Sequence, residues 1–133
     1  MKHTLRFAFL LAVIFTVSSI SASAQNMSGT VKTVAVKFPA GKTQTTVRGK
    51  ASYAMSYIYT FKIRKGQTID IKAVSDEPDL TFSLFPPNPK QELAFGVREW
   101  TGEAPESGTH SITLVMNNEN AKQVPYSLMI SVK

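Results

Sequence analysis

The sequence predicts an all-β domain, an antiparallel β-sandwich or jelly roll of about seven or eight strands. The clearest sign lies between Tyr57 and Val74. Apolar side chains fall there at Tyr57, Tyr59, Phe61 and Ile63, then at Ile69, Ile71 and Ala73, with mostly polar residues between. Successive side chains of a strand point to opposite faces, so this alternation marks two half-buried strands. Similar short alternating runs recur along the chain, punctuated by Pro, Gly, Asn and Asp. Beyond the apolar N-terminal run, no stretch carries the helical period.

Taken in order, Val34, Val36 and Phe38 alternate with Ala35 and Lys37, predicting a first strand over 33–38 that Pro39-Ala40-Gly41 ends. Thr45 and Val47 predict a short second strand closing at Gly49. The third and fourth flank Lys65-Gly66-Gln67, which reads as a tight hairpin with Gly66 free to take a positive φ. Asp76-Glu77-Pro78-Asp79 is turn chemistry, because Pro cannot donate to a ladder and Asp caps turns. Leu80, Phe82 and Leu84 make a fifth strand, ending at Pro86-Pro87-Asn88-Pro89. Residues 86–108 read as irregular, with Phe95, Val97 and Trp100 marking a short strand or a loop folded over the core. Ile112, Leu114 and Met116 form the next strand, and Tyr126, Leu128, Ile130 and Val132 the last. The polar run Asn117–Gln123 connects those two in solvent.

The first 24 residues read as a secretory signal peptide. Lys2, His3 and Arg6 form a basic start, Phe7 to Ile20 a mostly apolar run, and Ala22-Ser23-Ala24 the small-x-small cleavage pattern. The apolar run is shorter than the roughly 20 residues that cross a bilayer. The expected product is therefore periplasmic or secreted, cleaved near Ala24 and without a membrane span. With 24 of 133 residues removed, 109 remain, enough for a single domain over 25–133. Cysteine is absent, so neither disulfides nor thiol chemistry can support that domain.

The whole chain carries a formal charge of +6, unevenly spread. Residues 25–75 hold nine Lys or Arg against Asp70 alone, whereas residues 76–133 hold four against eight acids. Such asymmetry can steer a charged partner. Nucleic acid is not the expected one, because there is no Arg cluster or aromatic platform motif.

Enzymatic chemistry finds little to stand on. His110 is the one histidine after the leader, and its parity with Ile112 and Leu114 points it inward near the rim of an apolar face. A partly buried, hydrogen-bonded role suits it better than that of a catalytic base. Zinc sites need several His or Cys ligands, and no P-loop, dinucleotide fingerprint or nucleophile elbow occurs. Glu92, Glu99, Glu103 and Glu106 have no spacing that makes two of them face one another across a cleft. The turn at 76–79 lacks the ligand spacing of a calcium loop. A non-enzymatic protein without cofactor or metal is expected. Among the aromatics, Tyr57 and Tyr59 share the inward parity of their strand, while Tyr53 precedes it in a loop, open to a partner.

The order Val34-x-Val36-x-Phe38, Gly41, Gly49, then Tyr59-Thr60-Phe61 and Gly66-Gln67, resembles the periplasmic inhibitors of goose-type lysozyme. Leu84-Phe85-Pro86-Pro87, Ser107-Gly108 before a long strand, an Asn-Ala-Lys stretch and a closing Tyr-x-Leu-x-Ile strand extend the resemblance over nearly all of 33–133. The same outline is shared by bacterial pre-peptidase C-terminal domains, which are β-sandwich modules of secreted proteases. The resemblance implies an exported protein that binds a lysozyme and blocks its cleft. In that family, basic residues in an Arg-x-x-x-Arg pattern before the last strand face the enzyme. Asn118 and Lys122 occupy those positions here, with Asn120 as a hydrogen-bonding neighbour. A Ser-Gly-x-Tyr motif of such inhibitors reads Ser107-Gly108-Thr109-His110, with His where Tyr is expected. The expected lysozyme-binding set is thus Lys122, Asn118, Asn120, Ser107, Gly108, His110 and Tyr53. The alternative is an envelope-glycan-binding module that uses Tyr53 and Trp100.

Overall fold

The computed structural model describes residues 29–133, and the predicted leader and its cleavage point lie outside them. Nine strands form two facing sheets: β1 (Thr30–Ala35), β2 (Gln44–Ala51), β3 (Met55–Ile63), β4 (Thr68–Ser75), β5 (Leu80–Phe85), β6 (Ala94–Val97), β7 (Glu99–Glu103), β8 (Gly108–Met116) and β9 (Val124–Val132). One sheet runs β1-β3-β8-β5-β6 and the other β2-β9-β4-β7. The predicted sandwich is correct. Pairing is antiparallel except at β1, which runs parallel to β3.

The alternation read from the sequence is the burial pattern observed. Tyr59, Phe61 and Ile63 of β3, and Ile112, Leu114 and Met116 of β8, point inward from the first sheet. Ile69, Ile71 and Ala73 of β4, with Tyr126, Leu128, Ile130 and Val132 of β9, meet them from the second. Each large aliphatic or aromatic side chain sealed in this layer gains about 1.5–3 kcal/mol over exposure. With no cysteine in the chain, this apolar layer takes the role a disulfide framework would otherwise fill.

Three expectations need correction. First, β3 and β4 are not a hairpin: they belong to different sheets, and the chain crosses the core edge between them. Gly66 does adopt a positive φ of 86°, but in a corner where its N–H donates to the Ala104 carbonyl at 2.9 Å. The corner is closed by Gln67, whose Oε1 accepts from the Arg64 N–H at 2.8 Å. Period-two alternation fixes which face a side chain takes, not which strand lies beside it. Second, the irregular stretch contains two strands, β6 in the first sheet and β7 in the second, with Arg98 at the switch. The Arg98 carbonyl accepts from the Ala73 N–H at 2.8 Å, and its guanidinium donates to the Ser75 carbonyl at 2.9 Å. Phe95 does not cover the core. A register shift opposite Ser83 turns it out to 73% exposure, leaving Ala94 buried in its stead. Third, β1 begins at Thr30 rather than 33, and Val36–Phe38 follow it as irregular chain packed against the core. The Val36 N–H still donates to the Thr60 carbonyl at 2.8 Å, one step beyond the ladder.

The outer faces of the two sheets differ in kind. On β2-β9-β4-β7 the outward rows carry charge, as in Thr46, Met129, Lys72 and Glu99, or Gln44, Ser131, Asp70 and Thr101. On the first sheet the rows are Val31, Ser56, Val115 and Thr81; Thr33, Ile58, Thr113 and Ser83; and Ala35, Thr60, Ser111 and Phe85. None of those twelve residues is charged.

Candidate functional site

Loops cluster at the two ends of the sandwich, and the end carrying the 117–123 connection gathers most of the expected site. Three connections meet there: Ser52–Ala54 between β2 and β3, 76–79 between β4 and β5, and 117–123 between β8 and β9. The last is anchored at its start. Asn117 donates its backbone N–H to the Asp79 carbonyl at 3.0 Å and its side-chain amide to Thr81 Oγ1 at 3.1 Å. Asn118 donates its amide to Glu77 Oε2 at 3.3 Å and accepts from the Asn120 N–H at 3.0 Å. Ala121 is buried, and Gln123 takes a left-handed φ of 54° as the chain turns into β9. Between these fixed points Glu119, Asn120 and Lys122 stand in solvent.

Tyr53 joins this end. It sits at the tip of a turn closed by the Met55 N–H donating to the Ser52 carbonyl at 3.1 Å, and it is 47% exposed. Beside it lies a groove of about 420 Å³, lined by Tyr53, Met55, Val115, Met116 and Asn117 among others. On the second sheet at the same end, Arg48, Lys50, Val74 and Tyr126 line a shallow depression of about 500 Å³. Lys50 pairs with Pro125, three residues along the chain from Lys122. Lys50 escaped the sequence reading. The signal that finds it is its place one residue before Ala51, which closes β2 against the start of β9.

Ser107, Gly108 and His110 are not part of this cluster. They open β8 while Asn118 follows its far end, and nine strand residues separate the two by roughly 30 Å. Ser107 Oγ accepts from the Lys65 N–H at 2.8 Å, holding the corner between β3 and β4. Gly108 has φ 135°, and a Cβ there would lie 2.9 Å from the Pro87 ring, so glycine lets two loops pass. His110 has the inward parity expected of it but is wholly buried rather than at the rim. Its Nδ1 lies 3.2 Å from the Gly108 carbonyl, its ring is 6.2 Å from that of Phe61, and its Nε2 is buried without a partner. The motif that includes it lies at the end of β8 remote from Asn118.

Tyr53 and Trp100 are not brought together either. Tyr53 follows β2 and Trp100 lies on β7, at opposite edges of the second sheet with β9 and β4 between them. Trp100 pairs with inward-facing Ile71 and packs partly buried on the core margin. Its ring occupies the space of a Gly102 side chain, since a Cβ there would come within 2.6 Å.

Two carboxylates serve turns. Glu77 accepts from Asn118 and from the Asp79 N–H, and Glu106 Oε1 accepts from the Asn88 N–H at 2.9 Å. Among the described residues no group of three His, Cys, Asp or Glu is placed to hold a metal ion. Nor, among them, is any helix long and apolar enough to cross a membrane.

No protein-family model and no curated protein sequence matches the chain. Solved structures do. A periplasmic inhibitor of g-type lysozyme from Aeromonas hydrophila is 27% identical, with a TM-score of 0.67 over 78% of this chain and 98% of that one. Its counterpart from Salmonella Typhimurium is 22% identical, with a TM-score of 0.62 over 77% and 98%. The pre-peptidase C-terminal domain of a Bacillus anthracis collagenase is 16% identical, with a TM-score of 0.53 over 77% and 94%. The structural neighbours are thus the family that the sequence resembles, together with its wider β-sandwich group.

Proposed function

We infer that this chain is an exported inhibitor of g-type lysozyme that enters the enzyme's cleft with the loop end carrying Tyr53 and Lys122. The observation that carries this reading is the meeting, at one end of the sandwich, of an exposed tyrosine and a braced connection with an exposed lysine. The likeness to the Aeromonas inhibitor supports the choice of partner.

The chemistry follows from the target. Glycoside hydrolysis commonly works through carboxyl groups flanking the scissile bond. A cation held on a braced loop pairs with such groups where water is excluded, and it competes with the sugar chain. Bracing matters because ordering a free loop on binding costs affinity. In this division of labour Asn118 positions the loop through Glu77, leaving Lys122, Asn120 and Tyr53 to meet the enzyme. Lys50 adds positive potential from β2.

The test is wall lysis by goose-type lysozyme with and without the protein, repeated with Lys122→Glu and Tyr53→Ala. Inhibition that rises the apparent KM and is lost in both variants is the expected result. Undiminished lysis in the presence of the unaltered protein rejects the reading.

A further inference from the structure

The uneven charge of the sequence becomes a feature of the fold. Residues 29–67, from β1 to the corner after β3, hold eight Lys or Arg and no acid. Five of the eight gather at the end of the sandwich opposite Tyr53 and Lys122. Lys37 and Lys42 lie in the connection from β1 to β2, Lys62 near the end of β3, and Arg64 and Lys65 in the corner leading to β4, all exposed. Hydrogen bonds hold these segments to one pole. The Thr43 carbonyl accepts from the Val132 N–H at 2.8 Å, and Lys133 exchanges two bonds with Thr68 at 2.8 and 2.9 Å.

Two of these cations stand side by side. The Val36 N–H donates to the Thr60 carbonyl at 2.8 Å, carrying the course of β1 past its last pair, Ala35 with Thr60. Val36 and Phe38 pack on the core, which turns Lys37 outward beside Lys62, itself outward between buried Phe61 and Ile63. Like charges on neighbouring strands repel, a cost that a bound anion relieves. A shallow hollow of about 430 Å³ separates Lys62 from Arg64, with Gln67 and Gly108 on its walls.

The acids of this end face elsewhere. Glu103 points out from the second sheet, and Glu106 accepts from the Asn88 N–H. Glu92 precedes β6, which lies three strand spacings from β3, about 14 Å and beyond the roughly 8 Å over which salt screens. Lys65, whose N–H donates to Ser107 Oγ, borders Glu106, so the other four cations carry the positive field.

We propose that this pole docks the protein on a phospholipid leaflet rich in anionic headgroups. Clusters of four or more Lys or Arg are enough for such docking. The cations come from two connections and a strand end, spread around a rounded pole rather than filed along a groove. A plane of headgroups meets them together, whereas a linear polyanion meets only some. Between Lys37 and Lys42 the exposed residues are Pro39, Ala40 and Gly41, too small to hold the backbone off a surface. A nucleic acid fits less well, since the rings in these segments, Phe38 and Phe61, are partly or wholly buried and offer no base a stacking platform. Blocking the open edges of β1 and β2 requires charge but not one sign of it, and edge strand β7 uses Glu99 and Glu103. Docked this way, the protein keeps its Tyr53 and Lys122 end turned from the membrane, and the inference stands independently of the lysozyme reading.

Co-sedimentation of the chain from Gln25, without the apolar N-terminal run, tests it on phosphatidylcholine vesicles containing about 30% phosphatidylglycerol. Binding is expected at about 0.1 M salt and should vanish by about 0.5 M, with none to vesicles of phosphatidylcholine alone. Each Lys or Arg at such a surface is worth about fivefold in binding. Lys62→Gln with Arg64→Gln, checked for a native melting transition, should therefore weaken it about 25-fold. Lys37→Gln, outside any strand, should weaken it about fivefold and serves if the double variant unfolds. Lys32→Gln with Lys72→Gln removes the same charge elsewhere and should leave binding within about twofold. Equal losses in the two doubles, binding to neutral vesicles, or no binding at low salt overturns the proposal. So does a chain that ignores vesicles yet binds a soluble acidic polysaccharide, which would give the pole to a glycan.

Discussion

The hydroxyl groups of Tyr59 and Tyr126, 67 residues apart, share a hydrogen bond across the buried layer. Tyr59 belongs to β3 of one sheet and Tyr126 to β9 of the other, so this polar contact ties the two sheets across the buried layer. Tyr57 stacks on Tyr59 with ring centres 6.2 Å apart and caps the pair toward solvent. Gly49 of β2 completes the arrangement, because a Cβ there would lie 2.7 Å from the Tyr126 hydroxyl oxygen.

Removing one hydroxyl should cost more than removing both. Tyr126→Phe leaves the Tyr59 hydroxyl buried without a partner, a loss of about 1–3 kcal/mol. The double replacement Tyr59→Phe with Tyr126→Phe should recover most of it. Urea unfolding of the two single variants and the double, read as a thermodynamic cycle, gives the coupling. Additive losses would contradict it.

Alkaline pH should loosen the same contact. Burial pushes both phenols above their ordinary value, and for Tyr126 the neighbouring Tyr59 adds to the rise. A group whose folded pKa is raised stabilises fully below its unfolded pKa, here about 10 for tyrosine, and that contribution is lost as pH climbs further. The urea midpoint should therefore drop above about pH 10, and less steeply in the double phenylalanine variant. Equal slopes in the two proteins would assign the drop to other groups.

The polar character of His110, though not its volume, should be dispensable to stability. Its Nε2 is buried and unpaired, and the bond at Nδ1 is long, at 3.2 Å. Replacing a buried polar group by an apolar one of like size removes the cost of an unmade hydrogen bond. His110→Leu should leave the melting temperature unchanged or raise it. His110→Ala should lower stability by about 2–4 kcal/mol through the cavity it opens.

Trp100 is the only tryptophan and so reports its own packing. Gly102→Ala forces the indole off the core margin, and overpacking of this kind costs about 1–3 kcal/mol. Red-shifted fluorescence together with a lower urea midpoint is expected. An unmoved emission maximum would mean the ring is held elsewhere.

The two ends of β8 should separate in their effects. Lys122→Glu is expected to weaken lysozyme inhibition at least tenfold while leaving the melting temperature within a degree or two, as exposed substitutions usually do. Ser107→Ala should lower stability by about 1 kcal/mol, through the lost bond to Lys65, with inhibition intact. Paired inhibition and melting curves on both variants decide it.

Alternation made the strands and their inward faces legible, from Tyr59 and Phe61 through Leu128 and Ile130. It was silent about partners. Gly66 takes the same positive φ whether its strands pair or part, so the corner between β3 and β4 read as a hairpin. Phe95 misled for a related reason: the extra residue opposite Ser83 reverses the alternation, and no side-chain pattern announces it. At the candidate site, Tyr53 is legible as an open loop residue, and Lys122 through the basic pattern that the resembled family carries before its last strand. Grouping them with Ser107 and His110 overlooked the nine-residue length of β8, which by itself keeps those motifs at opposite poles.

β8 and β9, the last strands in sequence, lie inside their sheets, β8 between β3 and β5 and β9 between β2 and β4. A chain still emerging from a ribosome or a pore, with those strands not yet delivered, holds only outer staves and no middle to lean on. Such a topology leaves both sheets without a central strand until the final residues arrive, a dependence on non-local pairing that slows folding. Lateness of closure is built into the strand order.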